Sequence, residues 1–205
     1  MRSVRSLLAV LLCTMLLSGI HARIQAQQGL VLGFRGGVSV ASASADLTET
    51  FSTSNRTGFA GGIFFDYDGG LFGLQFGAEY AQKGVDLDIA GAVSELSLSY
   101  LEIPAVLKVG IPLGTIKPSV LAGVGLGFKT GCDVSGTDCG DDIKGTDFTG
   151  IAGADLAVYL GSISLWVDGR YHFGLSNINE ASDIVGDLKN RNWTFQAGIG
   201  FKLGG

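Results

Sequence analysis

The sequence predicts an all-β protein, an eight-stranded antiparallel up-and-down transmembrane β-barrel preceded by a cleaved signal peptide. Three observations carry this prediction. First, glycine fills 33 of the 205 positions, about twice its usual share. Each glycine in a helix interior would cost about 1 kcal/mol, while a 46% hydrophobic content is too high for a disordered chain. Second, apolar and polar residues alternate at period two along most of the chain. Third, the connections between alternating segments are short and long by turns, as in barrels with tight turns on one side of a membrane and larger loops on the other.

The N-terminus is read separately. Arg2 and Arg5 precede an apolar run of 14 residues from Leu7 to Ile20, and His21-Ala22-Arg23 then turns the chain polar. A basic start, a short apolar stretch and Ala26 at the boundary are the marks of a secretory signal peptide over residues 1–26, which leaves 27–205 as the mature barrel domain. Cys13 lies inside the apolar run behind Leu12, where a lipidation site wants a small residue. After Gln27 no segment reaches the roughly 18 apolar residues of a membrane helix. Any crossing is therefore made by strands.

Alternation is clearest in the last segment. Trp193, Phe195, Ala197, Ile199, Phe201 and Leu203 share one face, and Asn192, Thr194, Gln196, Gly198, Gly200 and Lys202 the other. The same test places strands at about 30–40, 57–67, 71–83, 96–109, 116–129, 148–160, 162–175 and 191–203. Short turns fall at 66–70, 110–115 and around Gly161. Long polar loops fall at 41–56, 84–95, 130–147 and 176–190. With an even strand number both ends return to the periplasmic side. Pro104 lacks the N–H for its ladder bond, and Leu96 and Leu98 share parity with charged residues of their strand, so a bulge or an extension beyond the bilayer is expected there.

The distribution of charge separates a membrane barrel from a soluble one. A soluble eight-stranded barrel keeps apolar side chains inside, whereas here one face is almost wholly aliphatic and aromatic. The opposite face carries Arg35, Gln75, Glu79, Glu102, Lys108, Lys117, Asp155, Asp168, Arg170, His172 and Gln196. Eight strands enclose room only for side chains, and unpaired buried charge is costly. The charged face therefore forms a lumen network, in which Arg170 meets Glu79, Glu102 or Asp168, and Lys108 or Lys117 meets Asp155. The aromatic girdle candidates are Phe65, Phe72, Tyr80, Phe128, Phe148, Trp193 and Phe201.

The remaining chemistry is sparse. With 14 basic against 19 acidic residues and a net charge of −5, nucleic acid is excluded as a partner. Cys132 and Cys139 are expected to form a disulfide across the third long loop of an exported protein. Asp133, Asp138, Asp141 and Asp142 in that loop are candidates for interaction. Their spacing matches no EF-hand calcium loop, so no metal and no cofactor are expected. His172 is the single histidine after Gln27, and Asp168 on the same face lies about 13 Å away along the strand, too far for a direct dyad. A lumen histidine in a polar network, with no catalytic residues, is the expected reading.

Several elements recur in order as in a known family: Gly33-Phe34-Arg35-Gly36-Gly37-Val38-Ser39, Glu79-Tyr80-Ala81-Gln82-Lys83-Gly84, Tyr100-Leu101-Glu102-Ile103-Pro104, Gly169-Arg170-Tyr171-His172-Phe173-Gly174-Leu175, and Asn190-Arg191. Together they resemble the PorT-type outer-membrane β-barrel family of Gram-negative bacteria. That resemblance implies a small closed barrel of the OmpA-like size class, with secretion or gliding machinery attached to some members only. The expectation is a non-enzymatic, monomeric barrel acting as a structural or interaction element through its loops. Its surroundings would be outer-membrane lipid and lipopolysaccharide, with other envelope proteins as further candidate partners. A small passive pore is the first alternative, and a lipid-modifying enzyme using His172 the second.

Overall fold

A computed structural model describes residues 29–45, 52–89, 92–134, 137–138, 144–175 and 188–203. The strands are β1 (Gly29–Ala45), β2 (Ser52–Asp68), β3 (Phe72–Ile89), β4 (Ala92–Gly110), β5 (Ile116–Val134), β6 (Thr137–Asp138), β7 (Thr146–Leu160), β8 (Ile163–Gly174) and β9 (Leu188–Leu203). Eight of them form one antiparallel ring. Each pairs with its chain neighbour, β1 with β9 closes the terminal seam, and β4–β5 completes the circle that the order β4-β3-β2-β1-β9-β8-β7-β5 leaves open. The two-residue β6 is only a small hairpin at the tip of β5, with Asp133 opposite Asp138. The signal peptide expected over residues 1–26 lies outside the described residues.

The short turns are built for reversal. Gly70 (φ 93°) and Gly161 (φ 72°) hold left-handed backbone that other residues adopt only with strain. Gly70 N–H also donates to Asp68 Oδ1 at 2.7 Å, tying the β2–β3 turn to the lumen side of β2. Because tight turns face the periplasm, this end, with both ends of the ring, is the periplasmic one.

The strands run further than alternation indicates on the opposite side. β1 continues to Ala45, β3 to Ile89 and β5 to Val134, so much of the expected loops 41–56, 84–95 and 130–147 is strand. A strand of 17 to 19 residues, as in β2 to β5, exceeds the roughly 9–11 residues that cross a bilayer. The excess projects beyond the membrane. There the outward face no longer has to be apolar, so the period-two signal fades although the ladders continue.

Two irregularities sit where the sequence anticipates trouble, with different details. Pro104 lies within an unbroken β4, and the β3–β4 ladder simply lacks partners between Phe76↔Ala105 and Glu79↔Glu102. Leu98 is not out of phase: it is buried inside with Tyr100. The extra residue belongs to β5, where Ser99↔Gly131 is followed by Tyr100↔Lys129.

The outer face is apolar. Phe72 and Leu107 are 65% and 66% exposed. Six of the girdle candidates, Phe72, Tyr80, Phe128, Phe148, Trp193 and Phe201, are exposed outside. Phe65 is half-buried because it stacks on Phe76 at 5.3 Å.

Candidate functional site

The alternation that turns apolar side chains to lipid turns charged ones inward, and they fill the barrel. Arg35, Glu79, Glu102, Lys108, Lys117, Asp155, Arg170 and His172 are all buried, and the Asp168 side chain is 5% exposed. Ionised groups at such positions persist only when paired and hydrogen-bonded. Their partners form three layers along the axis.

The periplasmic layer is anchored by Asp68. Its carboxylate accepts from Lys117 Nζ at 2.6 Å and from the Tyr159 hydroxyl at 2.7 Å, as well as from Gly70. Beside it, Lys108 Nζ lies 2.8 Å from Asp66 and 2.6 Å from Asp155 and 4.1 Å above the Trp166 ring. Phe64 packs edge-on to Trp166 at 5.5 Å. A second apolar cluster of Val106, Leu121 and Ile151 also faces inward, so the lumen is not uniformly polar.

The middle layer turns on Gln75. Its Oε1 accepts from Arg35 Nη1 at 2.9 Å and Arg170 Nη2 at 2.5 Å, while its Nε2 donates to Asp66 at 2.9 Å. Arg35 Nε donates to Glu79 at 2.8 Å and Arg170 Nε to Asp168 at 2.8 Å. In the outer layer Lys83 bonds Glu102 and lies 3.9 Å from Asp147. His172 Nδ1 is 3.5 Å from Glu102 and its Nε2 is 3.4 Å from the Thr194 hydroxyl. Asn192 donates to Ser39 at 2.9 Å.

Of the pairings expected from sequence, Arg170–Asp168 and Lys108–Asp155 form, whereas Lys117 goes to Asp68. Three participants, Asp66, Asp68 and Asp147, escape the sequence reading because they fall in segments read as turn or loop. Lys83 escapes it as the last residue of its segment, although its parity with Glu79 marks it as inward. The row Gly123, Gly125 and Gly127 gives space to uncharged neighbours: a Cβ at Gly125 would meet Thr149 Oγ1 at 2.7 Å, and one at Gly127 the Tyr100 ring at 3.3 Å.

The neighbours of His172 have a nominal catalytic order, hydroxyl, imidazole, carboxylate. Thr194 is fully buried, however, and Glu102 is engaged by Lys83, so the hydroxyl has no open approach for a substrate carbonyl. In the third long connection Cys132 is disulfide-bonded and Asp133 is exposed. Asp138 contributes backbone to β6, and Cys139, Asp141 and Asp142 lie outside the described residues.

Comparison with known proteins agrees with this architecture. A family model described as outer membrane protein beta-barrel domain matches residues 9–201. The outer membrane protein OprG from Pseudomonas aeruginosa superimposes with a TM-score of 0.55 at 14% identity, over 88% of this chain and 99% of that one. Neisserial surface protein A does so with a TM-score of 0.52 at 18% identity, over 84% and 97%. At these identities the likeness is one of fold. Among the curated proteins none matches.

Proposed function

Since the chain belongs to the outer-membrane β-barrel domain family and resides in the outer membrane of a Gram-negative bacterium, we propose that it is a non-enzymatic structural or interaction element with a plugged lumen. The observation that carries this reading is the succession of cross-lumen contacts from Asp68–Lys117 through Gln75–Arg170 to Glu102–His172. A barrel so filled offers a rigid frame for its outer hairpins, and binding surfaces concentrate on loops that a rigid scaffold positions. The disulfide at Cys132, assigned to Cys139, together with Asp133, Asp138, Asp141 and Asp142, makes the β5–β7 connection the contact surface for a basic envelope partner or for cation-bridged lipopolysaccharide. The Tyr100–Pro104 and Arg170–Leu175 elements support placement among PorT-type barrels.

The test is crosslinking in intact cells with residues 135–143 replaced by a short glycine-serine turn. Loss of specific crosslinked species, with the barrel still folded, supports the reading; an unchanged set of species refutes it. A passive pore is the second reading, favoured by the polar lining of the lumen. Ion flux through the refolded protein decides between them.

A further inference from the structure

The lumen holds more acid than base. Among the described residues its buried acids are Asp66, Asp68, Glu79, Glu102, Asp147, Asp155 and Asp168, and its buried lysines and arginines are Arg35, Lys83, Lys108, Lys117 and Arg170. Seven acids against five cations are accommodated by sharing: Lys108 serves Asp66 and Asp155, and Lys83 serves Glu102 and Asp147. A charged His172 would still leave the acids in excess. The acids also adjoin one another. Glu79 on β3 stands opposite Glu102 on β4, and Asp155 on β7 stands opposite Asp168 on β8. Cβ atoms of such cross-strand neighbours lie about 5 Å apart, and like charges there repel. A proton held by one member of a pair removes both the repulsion and the surplus charge.

The two acid pairs are also steps between layers. Glu102 belongs to the outer layer, Glu79 and Asp168 to the middle one, and Asp155 to the periplasmic one. Around them lie buried polar atoms that no described protein group bonds: Glu79 Oε1, Arg170 Nη1, Asn192 Oδ1 and both side-chain polar atoms of Gln196. Asn192 stands opposite His172, and Gln196 opposite Asp168. Buried groups of this kind are bonded by internal water. Room for water adjoins both end layers. A cavity of about 100 Å³ borders Lys83. One of about 10 Å³, lined by Tyr159, Ser164 and Lys202, is the size of a single water molecule.

From these placements we infer that the lumen conducts protons while it stays closed to hydrated ions, with Glu102, Glu79, Asp168 and Asp155 holding and passing the protons through internal water. The inference rests on the plugged-lumen reading and extends it. Direct bonds across each layer leave no bore for a hydrated salt ion, whereas a proton needs only a succession of oxygens within hydrogen-bond reach. In each step an O–H bond of a carboxylic acid or a hydronium breaks as a new one forms on the next water or carboxylate oxygen. The electron pair of the broken bond stays on the donor oxygen, and one proton leaves at one face for each that enters at the other. Lys83 and Lys108, bonded to acids of the two end layers, are positioning residues, because they keep those carboxyl groups in the lumen.

The experiment uses the mature protein refolded into vesicles that enclose a pH-sensitive dye, with equal potassium on both sides and valinomycin to hold the membrane potential at zero. The external pH is stepped and the internal pH followed, and the same preparation is recorded in a planar bilayer in potassium chloride. Heat-modifiable gel migration verifies that each variant is a folded barrel. The parent is expected to exchange protons at least about tenfold faster than protein-free vesicles, since positioned proton-transfer groups typically contribute more than that, and to pass no salt current. Glu79→Gln and Asp155→Asn keep side-chain shape but remove a proton site, and each should return the rate close to that of protein-free vesicles. Should either fail to fold, Gln196→Leu, which takes away the water-binding amide beside Asp168, carries the same expectation. Val120→Ala on the outer face, where Val120 is 62% exposed, should match the parent. A parent that is silent to salt and no faster than protein-free vesicles overturns this proposal alone, as do rates unchanged in the folded carboxyl variants. Proton flux accompanied by salt current overturns the plugged-lumen reading with it.

Discussion

Arg170 Nη2 reaches across the full diameter of the barrel to Gln75 Oε1, 2.5 Å away. β8 and β3 stand four strands apart in either direction round the ring, so this bond ties opposite walls. The same amide oxygen accepts from Arg35, and the amide nitrogen reaches Asp66. One neutral side chain therefore links the middle layer to the periplasmic one.

Replacing that hub is expected to cost more than a single hydrogen bond. Gln75→Leu removes an acceptor from two buried guanidiniums, and hydrogen bonds to charged groups contribute about 1.5–3 kcal/mol each. A loss of about 3–5 kcal/mol is expected in urea unfolding from lipid vesicles, followed by tryptophan emission and gel shift. Gln75→Glu restores the acceptors for the guanidiniums but sets a carboxylate against Asp66 in place of the amide donor, so it should recover only part of the loss. If the leucine variant unfolds with the parent, the hub has no energetic role.

Lys108 is shared by Asp66 and Asp155. Lys108→Met leaves two carboxylates facing one another without their cation, and breaking a buried pair typically costs about 3–5 kcal/mol. Adding Asp66→Asn and Asp155→Asn to that change should return much of the stability, because neutral groups need no counter-charge. The double-mutant-cycle coupling between Lys108 and Asp155 checks this; purely additive costs would show that the three groups act separately.

Depth in the bilayer gives a third prediction. Val124 faces outward on β5 between Ile116 and Phe128, and Tyr67 faces outward beside the β2–β3 turn. Arginine at a lipid-facing midplane position costs about 2–4 kcal/mol, and near the interface about 0–1. Val124→Arg should therefore be markedly less stable than Tyr67→Arg in the same unfolding assay. Equal costs would mean that the hydrophobic belt is not centred where the aromatic girdles place it.

The pairing we propose between Cys132 and Cys139 gives a local prediction. Closing so short a loop would constrain the open chain by about 2–3 kcal/mol, and the constraint would act on the β5–β7 connection alone. Reduction, or Cys139→Ser, should make residues 130–147 susceptible to protease while the barrel keeps its compact gel migration. Mass spectrometry of the intact protein reads both; protection unchanged after reduction would contradict the prediction.

How far these features can be read from sequence depends on what each residue faces. In β8 and β9 lipid lies on one side and a packed polar lumen on the other, so strict alternation runs from Ser164 to His172 and from Asn192 to Lys202. Strand number, closure and the inward set follow from it. Past the membrane the outward face meets water, and ladders such as Leu87↔Ser94 leave no hydropathy trace. Asp66 and Asp68 look like turn residues because aspartate favours turns; here they are the last inward positions before a glycine-led reversal. The choice of partners is set by distances across the lumen. Sequence shows that Lys117 faces inward, and only the circular arrangement of strands shows that it meets Asp68 on β2 rather than Asp155 next door. The register shift between Asn55 and Ala60 has no signature beyond the glycine at 58.

The plugged lumen is the central claim, and single-channel recording of the refolded mature protein in a planar bilayer tests it most directly. The parent should be silent under applied voltage, and Arg170→Ala with Gln75→Ala, which empties the middle layer, should pass measurable current. A steady ohmic conductance in the parent would contradict the account and make the lumen itself the working part of the protein.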